Sequence, residues 1–291
     1  MQATSTAQRW FQGFNNIFMV LLALICVLPL IHVLAISLSS SASVMSNQVT
    51  FWPIGLNLNS YEKALENPAF LPSVWLSVQR TFLSLVLGLL VNCMAAYVLS
   101  KGGGRDGIAG YKVFVGFFIM AMLFNGGLIP TYLLITKIGL YNTIWALVLP
   151  SLVNVFYLIL IMNFFKALPK ELEEAAFMDG ANHWQVFVRI YMPLSFPVLA
   201  TVGLFVIVNE WNEWFMGSIY MKGNNVPLST LLKSIIAVPI VDANNASEIA
   251  ELNNRSIRAA QVLIGAMPIL LVYPILQKFF TRGIIIGAIK E

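Results

Sequence analysis

Six long apolar runs separated by polar stretches set the frame of this chain: Phe14–Ser37, Val74–Leu99, Tyr111–Ile135, Asn142–Phe165, Leu194–Trp214 and Ala259–Phe280. Each is long enough to cross a hydrocarbon core of ~30 Å. In lipid every backbone N–H and C=O needs an internal partner, so runs of this kind predict helices. The expectation is an all-α polytopic membrane protein with six transmembrane helices, one membrane domain over residues 1–291. The first run also admits a cleaved signal peptide, with small residues at Ser39–Ser43. Its apolar part exceeds the usual ~7–15 residues, so it is kept as the first span.

Interruptions in the pattern carry further expectations. Arg80 lies near the outer end of the second run, where its stem would let the charge snorkel to the interface. Asn125-Gly126-Gly127 and Pro130 break the third run. Non-helical backbone at that depth is tolerated where protein or a water-filled cavity satisfies it. The break therefore reads either as the lining of a gate or as a helix end followed by an interfacial segment. Pro150 and Asn154 fall in the fourth run, and Pro268 and Pro274 are expected to kink the sixth. The loops 38–73 and 217–258 are polar, the first with Trp52 and Tyr61 as interfacial anchors.

Composition narrows the function classes. Apolar residues make up 58% of the chain and charged ones 10%, against ~25% charged in soluble domains, and mean hydropathy is +0.79. The net charge of +4 comes from scattered loop residues, which suits anionic lipid and not nucleic acid. Cys26 and Cys93 sit inside apolar runs and read as small buried hydrophobes. His32 and His183 stand apart, so no metal site is expected. Lys101-Gly-Gly-Gly-Arg105-Asp106 lacks the Lys-Ser/Thr that makes a phosphate loop, and no G-x-x-x-x-G-K-S/T occurs. No cofactor is expected in this chain. Glu210 and Glu213, three apart between tryptophans, read as part of an aromatic belt rather than a catalytic pair. Six spans put both termini on one side. That side holds ten basic residues, Arg9, Lys101, Arg105, Lys112, Lys166, Lys170, Arg189, Lys278, Arg282 and Lys290, against six in the opposite loops, which predicts cytoplasmic termini.

One polar island, Leu168–Pro193 within the loop 166–193, stands apart from the rest. Pro169 suits a first helical position, and Glu171, Glu173 and Glu174 complement the positive end of the dipole. Gly180 supplies the left-handed residue that ends a helix, and Asn182 caps a second one with Trp184, Phe187 and Val188 on one face until Pro193. Ala175 and Ala176 leave a surface that another protein can approach closely. The plainer account is an ordinary interfacial amphipathic helix.

Here the chain resembles a family. Glu174-Ala175-Ala176, three residues, Gly180, nine residues, Ile190, one residue, Met192 and Pro193 resemble the EAA signature of binding-protein-dependent ABC importer permeases, with Met192 in place of the usual Leu. The resemblance implies the type I importer fold and a cytoplasmic coupling helix seated in a separate ATPase subunit. The coupling residues it implies are Glu171, Glu174, Ala175, Ala176, Asp179, Gly180, Ile190 and Pro193. The stretch from Phe124 to Leu152 and the run Asn209–Trp214 resemble the carbohydrate branch; the tail GIIIGAIKE resembles that branch less closely at Ile285, Ile286 and Glu291. The loop 217–258 resembles the periplasmic loop that probes the sugar-binding protein. The partners so implied are a second, homologous permease, two ATP-binding subunits that hold ATP and Mg, a solute-binding protein, membrane lipid and an oligosaccharide, in a bacterial cytoplasmic membrane. Sugars need hydroxyl partners and an aromatic face, which makes Asn125, Asn154, Tyr157, Asn209, Trp211 and Glu213 path candidates. Within the family the alternative is an amino-acid or peptide permease. Outside it, the alternatives are a polytopic membrane enzyme and a stand-alone channel or secondary transporter.

Overall fold

Apolar sequence of this length leaves the backbone to satisfy itself along the helix axis. The computed structural model describes residues 6–103, 107–124, 126–236 and 255–288, which form helices and turns without a strand. Asn125, the Arg105-Asp106 turn, residues 237–254 and the last three residues lie outside the described residues. In order, the helices are α1 (Thr6–Ser37), α2 (Ser41–Met45), α3 (Asn59–Glu66), α4 (Phe70–Ser100), α5 (Tyr111–Leu123), α6 (Leu128–Lys137), α7 (Trp145–Val148) and α8 (Val155–Lys166). There follow α9 (Lys170–Met178), α10 (His183–Val186), a π turn (Phe187–Tyr191), α11 (Met192–Leu194), α12 (Phe196–Asn212), α13 (Phe215–Tyr220), α14 (Leu228–Ile236) and α15 (Arg255–Ala288).

Among the described residues, α1, α4 and α15 are each long and apolar enough to cross a membrane, and counting each of three bent pairs as one span gives up to six. The fourth run bends by 47° where a 3-10 turn, Leu149–Ser151, gives way to α8. The island's second half and the fifth run meet at a 78° bend at Ser195. The third run divides into α5 and α6, and Gly127 opens α6 at φ 86°.

Several boundaries differ from expectation. Residues 38–73 carry α2, α3 and the start of α4, and the last helix continues past residue 280 to Ala288, helical through Pro268 and Pro274. Pro169 is the extended cap before α9 rather than its first residue. Pro193 lies inside α11, and the helix ends one residue later, at Leu194, before the bend at Ser195.

The chain divides into two units, residues 1–71 with 232–267, and residues 72–231 with 268–291. In the first, Ala35, Val44 and Val49 form a small apolar cluster. Ser39 Oγ donates to the Ala35 carbonyl (2.6 Å) and accepts from the Ile54 N–H (3.0 Å). From Trp10 to Ile31, α1 is exposed at every position, so Cys26 is exposed rather than buried. A helix apolar on all sides is a membrane helix, with lipid or another chain against it. The second unit holds the main core, with Cys93, Ala96 and Tyr97 from α4, Leu158, Ile161 and Phe165 from α8, and Val186, Phe187, Tyr191 and Val202 closing it.

Candidate functional site

The island folds by local rules. Pro169, at φ −60° and ψ 128°, leads into α9, whose first turn carries Glu171 and Glu173. At its far end Gly180 has φ 81°. The Gly180 N–H reaches the Phe177 carbonyl (3.0 Å) and the Ala181 N–H the Ala176 carbonyl (2.9 Å), the paired bonds of a Schellman motif. Asn182 and Gln185 then exchange side-chain and backbone hydrogen bonds at 2.9 Å each, a capping box that starts α10. The π turn after it sets both Phe187 and Tyr191 in the core, whereas Trp184 and Val188 stay exposed, so these residues do not share one face.

The residues singled out from the sequence part company here. Glu171, Glu174, Ala175, Asp179 and Gly180 are exposed together on and beside α9. Ala176 and Ile190 pack against the core, and Pro193 lies exposed on α11. Leu172, Phe177 and Met178 add uncovered apolar surface, Met178 being 88% exposed.

Glu173 turns the other way. Its Oε1 pairs with Lys101 Nζ, just past the end of α4, and its Oε2 accepts from Tyr191 Oη at 2.7 Å. Lys101 Nζ also donates to Tyr191 Oη at 3.1 Å and stands 4.2 and 4.4 Å from the ring centres of Tyr97 and Tyr191. Burial lowers the Lys101 pKa, while the hydrogen bond and charge of Glu173 pull it back up. Sequence reasoning missed this network. The available signal was the spacing of Glu173 and Ala176, three apart and therefore on one face. A cleft of about 820 Å³ opens beside it, lined among others by Lys101, Lys166, Lys170, Glu173, Glu174 and His183. Lys166 Nζ donates to Tyr111 Oη at 2.9 Å.

Three of the path candidates, Asn154, Tyr157 and Asn209, are joined by hydrogen bonds. Asn209 Nδ2 donates to Tyr157 Oη at 2.7 Å, and the Tyr157 ring stacks on Phe205 with centres 6.3 Å apart. Asn154 caps α8, its Oδ1 accepting from the N–H groups of Phe156 and Tyr157. Trp211 is buried. Glu213 lies just beyond α12, and its Oε1 accepts from the Met216 N–H at 2.7 Å.

Arg80 corrects two expectations. It is 2% exposed and does not snorkel. Its Nε donates to Glu210 Oε2 at 2.8 Å, while Nη1 donates to the Glu213 carbonyl at 3.2 Å and lies 3.1 Å from Glu213 Oε2. Glu210 and Glu213 are thus counter-charges to a buried guanidinium rather than part of a belt, and they share no helix face. A charge this deep persists because it is paired. Among the described residues, no group of three or more His, Cys, Asp or Glu could hold a metal ion.

The family described as "Binding-protein-dependent transport system inner membrane component" matches residues 108–286. The chain is similar to the polygalacturonan/rhamnogalacturonan transport system permease protein YtcP of Bacillus subtilis, at 34% identity over 94% of this chain and 96% of that protein. It is similar also to protein LplC of the same organism, at 36% identity over 98% and 96%. Among solved structures, a bacterial ABC transporter involved in the import of the acidic polysaccharide alginate has a chain that superposes at TM-score 0.86 and 29% identity, covering 96% of this chain and 100% of that one.

Proposed function

Since the chain belongs to the family of binding-protein-dependent transport system inner membrane components, we propose that it is the permease of an ATP-driven importer for oligosaccharides or polysaccharides. The protein is a membrane transport subunit built of apolar helices. In this reading a separate ATPase subunit holds ATP and Mg, a solute-binding protein delivers the sugar, and a second permease completes the path. The termini and α9 face the cytoplasm.

The observation that carries the coupling role is α9. It stands out from the core with Glu171, Glu174 and Ala175 outward and Leu172, Phe177 and Met178 uncovered. Apolar side chains left in water beside carboxylates mark a surface that another protein covers. ATPase closure moves α9, and the spans behind it rock as rigid bodies between inward-open and outward-open states. The sugar class is supported by relatives named for polygalacturonan/rhamnogalacturonan and arabinooligosaccharide transport, each aligned over nearly the whole chain. Of the path candidates, Asn209 is exposed and pairs with the buried Tyr157, whose ring stacks on the exposed ring of Phe205, and an amide beside an aromatic face is what a sugar needs.

The test is uptake into proteoliposomes holding the full complex and its binding protein, across neutral and acidic oligosaccharides. Glu174→Lys is expected to leave assembly and ATP hydrolysis largely intact and to abolish uptake. Wild-type uptake in that variant contradicts the coupling role; uptake of amino acids or peptides in place of sugars contradicts the substrate class.

A further inference from the structure

The chain that joins α9 to the fifth span turns sharply twice. It passes through Gly180, at φ 81° with no heavy atom within 4 Å of where a Cβ would stand, and then through the 78° bend at Ser195. A load carried along that backbone would first flex its turns. A second, non-covalent connection bypasses them. Both oxygens of Glu173 are occupied, Oε1 by Lys101 and Oε2 by Tyr191, so one carboxylate joins α9, the end of α4 and the π turn that leads into α12.

This junction differs from an ordinary surface pair, which contributes little. The Lys101 and Glu173 side chains are only 17% and 15% exposed. Tyr191 is buried and meets Tyr97 of α4 edge-on at 4.9 Å and Phe165 of α8 at 5.3 Å. Charge-assisted bonds in a partly dry, interconnected network hold their geometry better than exposed ones. The neighbouring carboxylates divide the work: Glu171 and Glu174 face outward, and Glu173 faces in.

We propose that Lys101, by holding Glu173 and Tyr191 together, is the positioning residue that transmits displacement of α9 to the second and fifth spans. This rests on the reading of α9 as the element that the ATPase grips. Without the Lys101–Glu173 contact, the ATPase still docks and hydrolyses ATP, but α9 moves against its own turns and the spans follow incompletely. In this reading Lys101 acts through Glu173.

The experiment measures sugar imported per ATP hydrolysed, in proteoliposomes holding the full complex and its binding protein. Lys101→Met and Glu173→Gln are expected to lower that ratio about fivefold or more, the lower end of typical coupling energies. Lys101→Arg is expected to keep the ratio, and the exchange Lys101→Glu with Glu173→Lys to restore most of it. A purely structural role would reduce the amount of complex and leave the ratio per assembled complex unchanged. A disulfide cross-link from Glu174→Cys to the ATPase subunit is read in parallel. If the cross-link forms and Lys101→Met keeps the wild-type ratio, the proposal is overturned. It is overturned equally if the charge exchange assembles and its ratio stays as low as that of Glu173→Gln. If Lys101→Met fails to assemble, recovery of both assembly and ratio in the exchange supports it. If no cross-link forms in otherwise wild-type protein, the coupling reading of α9 fails and takes this one with it.

Discussion

Arg80→Met is the most direct probe of the buried charge cluster in the second unit. The substitution keeps a long apolar stem and removes the guanidinium, leaving Glu210, with a side chain 10% exposed, facing no cation. Glu213 is 28% exposed and retains the Met216 N–H, so most of the loss falls on Glu210. Breaking a buried pair by deleting one partner costs about 3–5 kcal/mol. At about 2–4 °C per kcal/mol for chains approaching this size, that is a fall of roughly 6–20 °C in Tm. The assay is thermal unfolding of the purified protein in one detergent, at constant pH and salt. Arg80→Met, Glu210→Gln and the double variant together form a cycle. The double variant is expected to recover much of the Arg80→Met loss, since it buries neither an unpaired cation nor an unpaired Glu210. A Tm within ~2 °C of wild type for Arg80→Met, or strict additivity in the cycle, would refute the account.

Two further predictions concern backbone positions. Gly217→Ala would set a Cβ 2.1 Å from Thr230 Oγ1 and 3.1 Å from Pro227 Cδ, so it is expected to destabilise by about 1–3 kcal/mol, read by the same unfolding assay. Adding Thr230→Ala should relieve part of that, less the lost bond from Thr230 Oγ1 to the Trp214 carbonyl; no relief would place the strain elsewhere. At Gly180 there is open space, so the cost is conformational, roughly 1–2 kcal/mol for a left-handed residue with a side chain. Gly180→Val should therefore lower uptake per ATP while Gly180→Asn largely preserves it, and equal behaviour of the two variants would dismiss the turn as the cause.

What could be read without coordinates is what depends on near neighbours in the chain. The six spans follow from apolar length, because a backbone in lipid has nowhere else to place its hydrogen bonds. The stop at Gly180 and the cap at Asn182 follow from residues within one turn of each other, and the structure shows both. The break at Gly126-Gly127 was legible as a break, and α5 and α6 flank it. The side chains of the island were harder. Glu171, Glu173 and Glu174 are equivalent in composition, and only packing against α4 and the π turn sends Glu173 inward and leaves the others outside. Arg80 shows the same limit more sharply. Its charge in an apolar run was visible, but its partner lies 130 residues away on α12, and Lys101 and Glu173 are 72 apart. A lone charge is compatible with snorkelling or with burial; which of the two holds depends on whether folding brings an opposite charge within reach. Local sequence therefore determined the helices, their caps and the exposed helix between spans. The tertiary fold alone decided which charges pair, because the energy of a buried charge is set by what surrounds it in space and not by its neighbours along the chain.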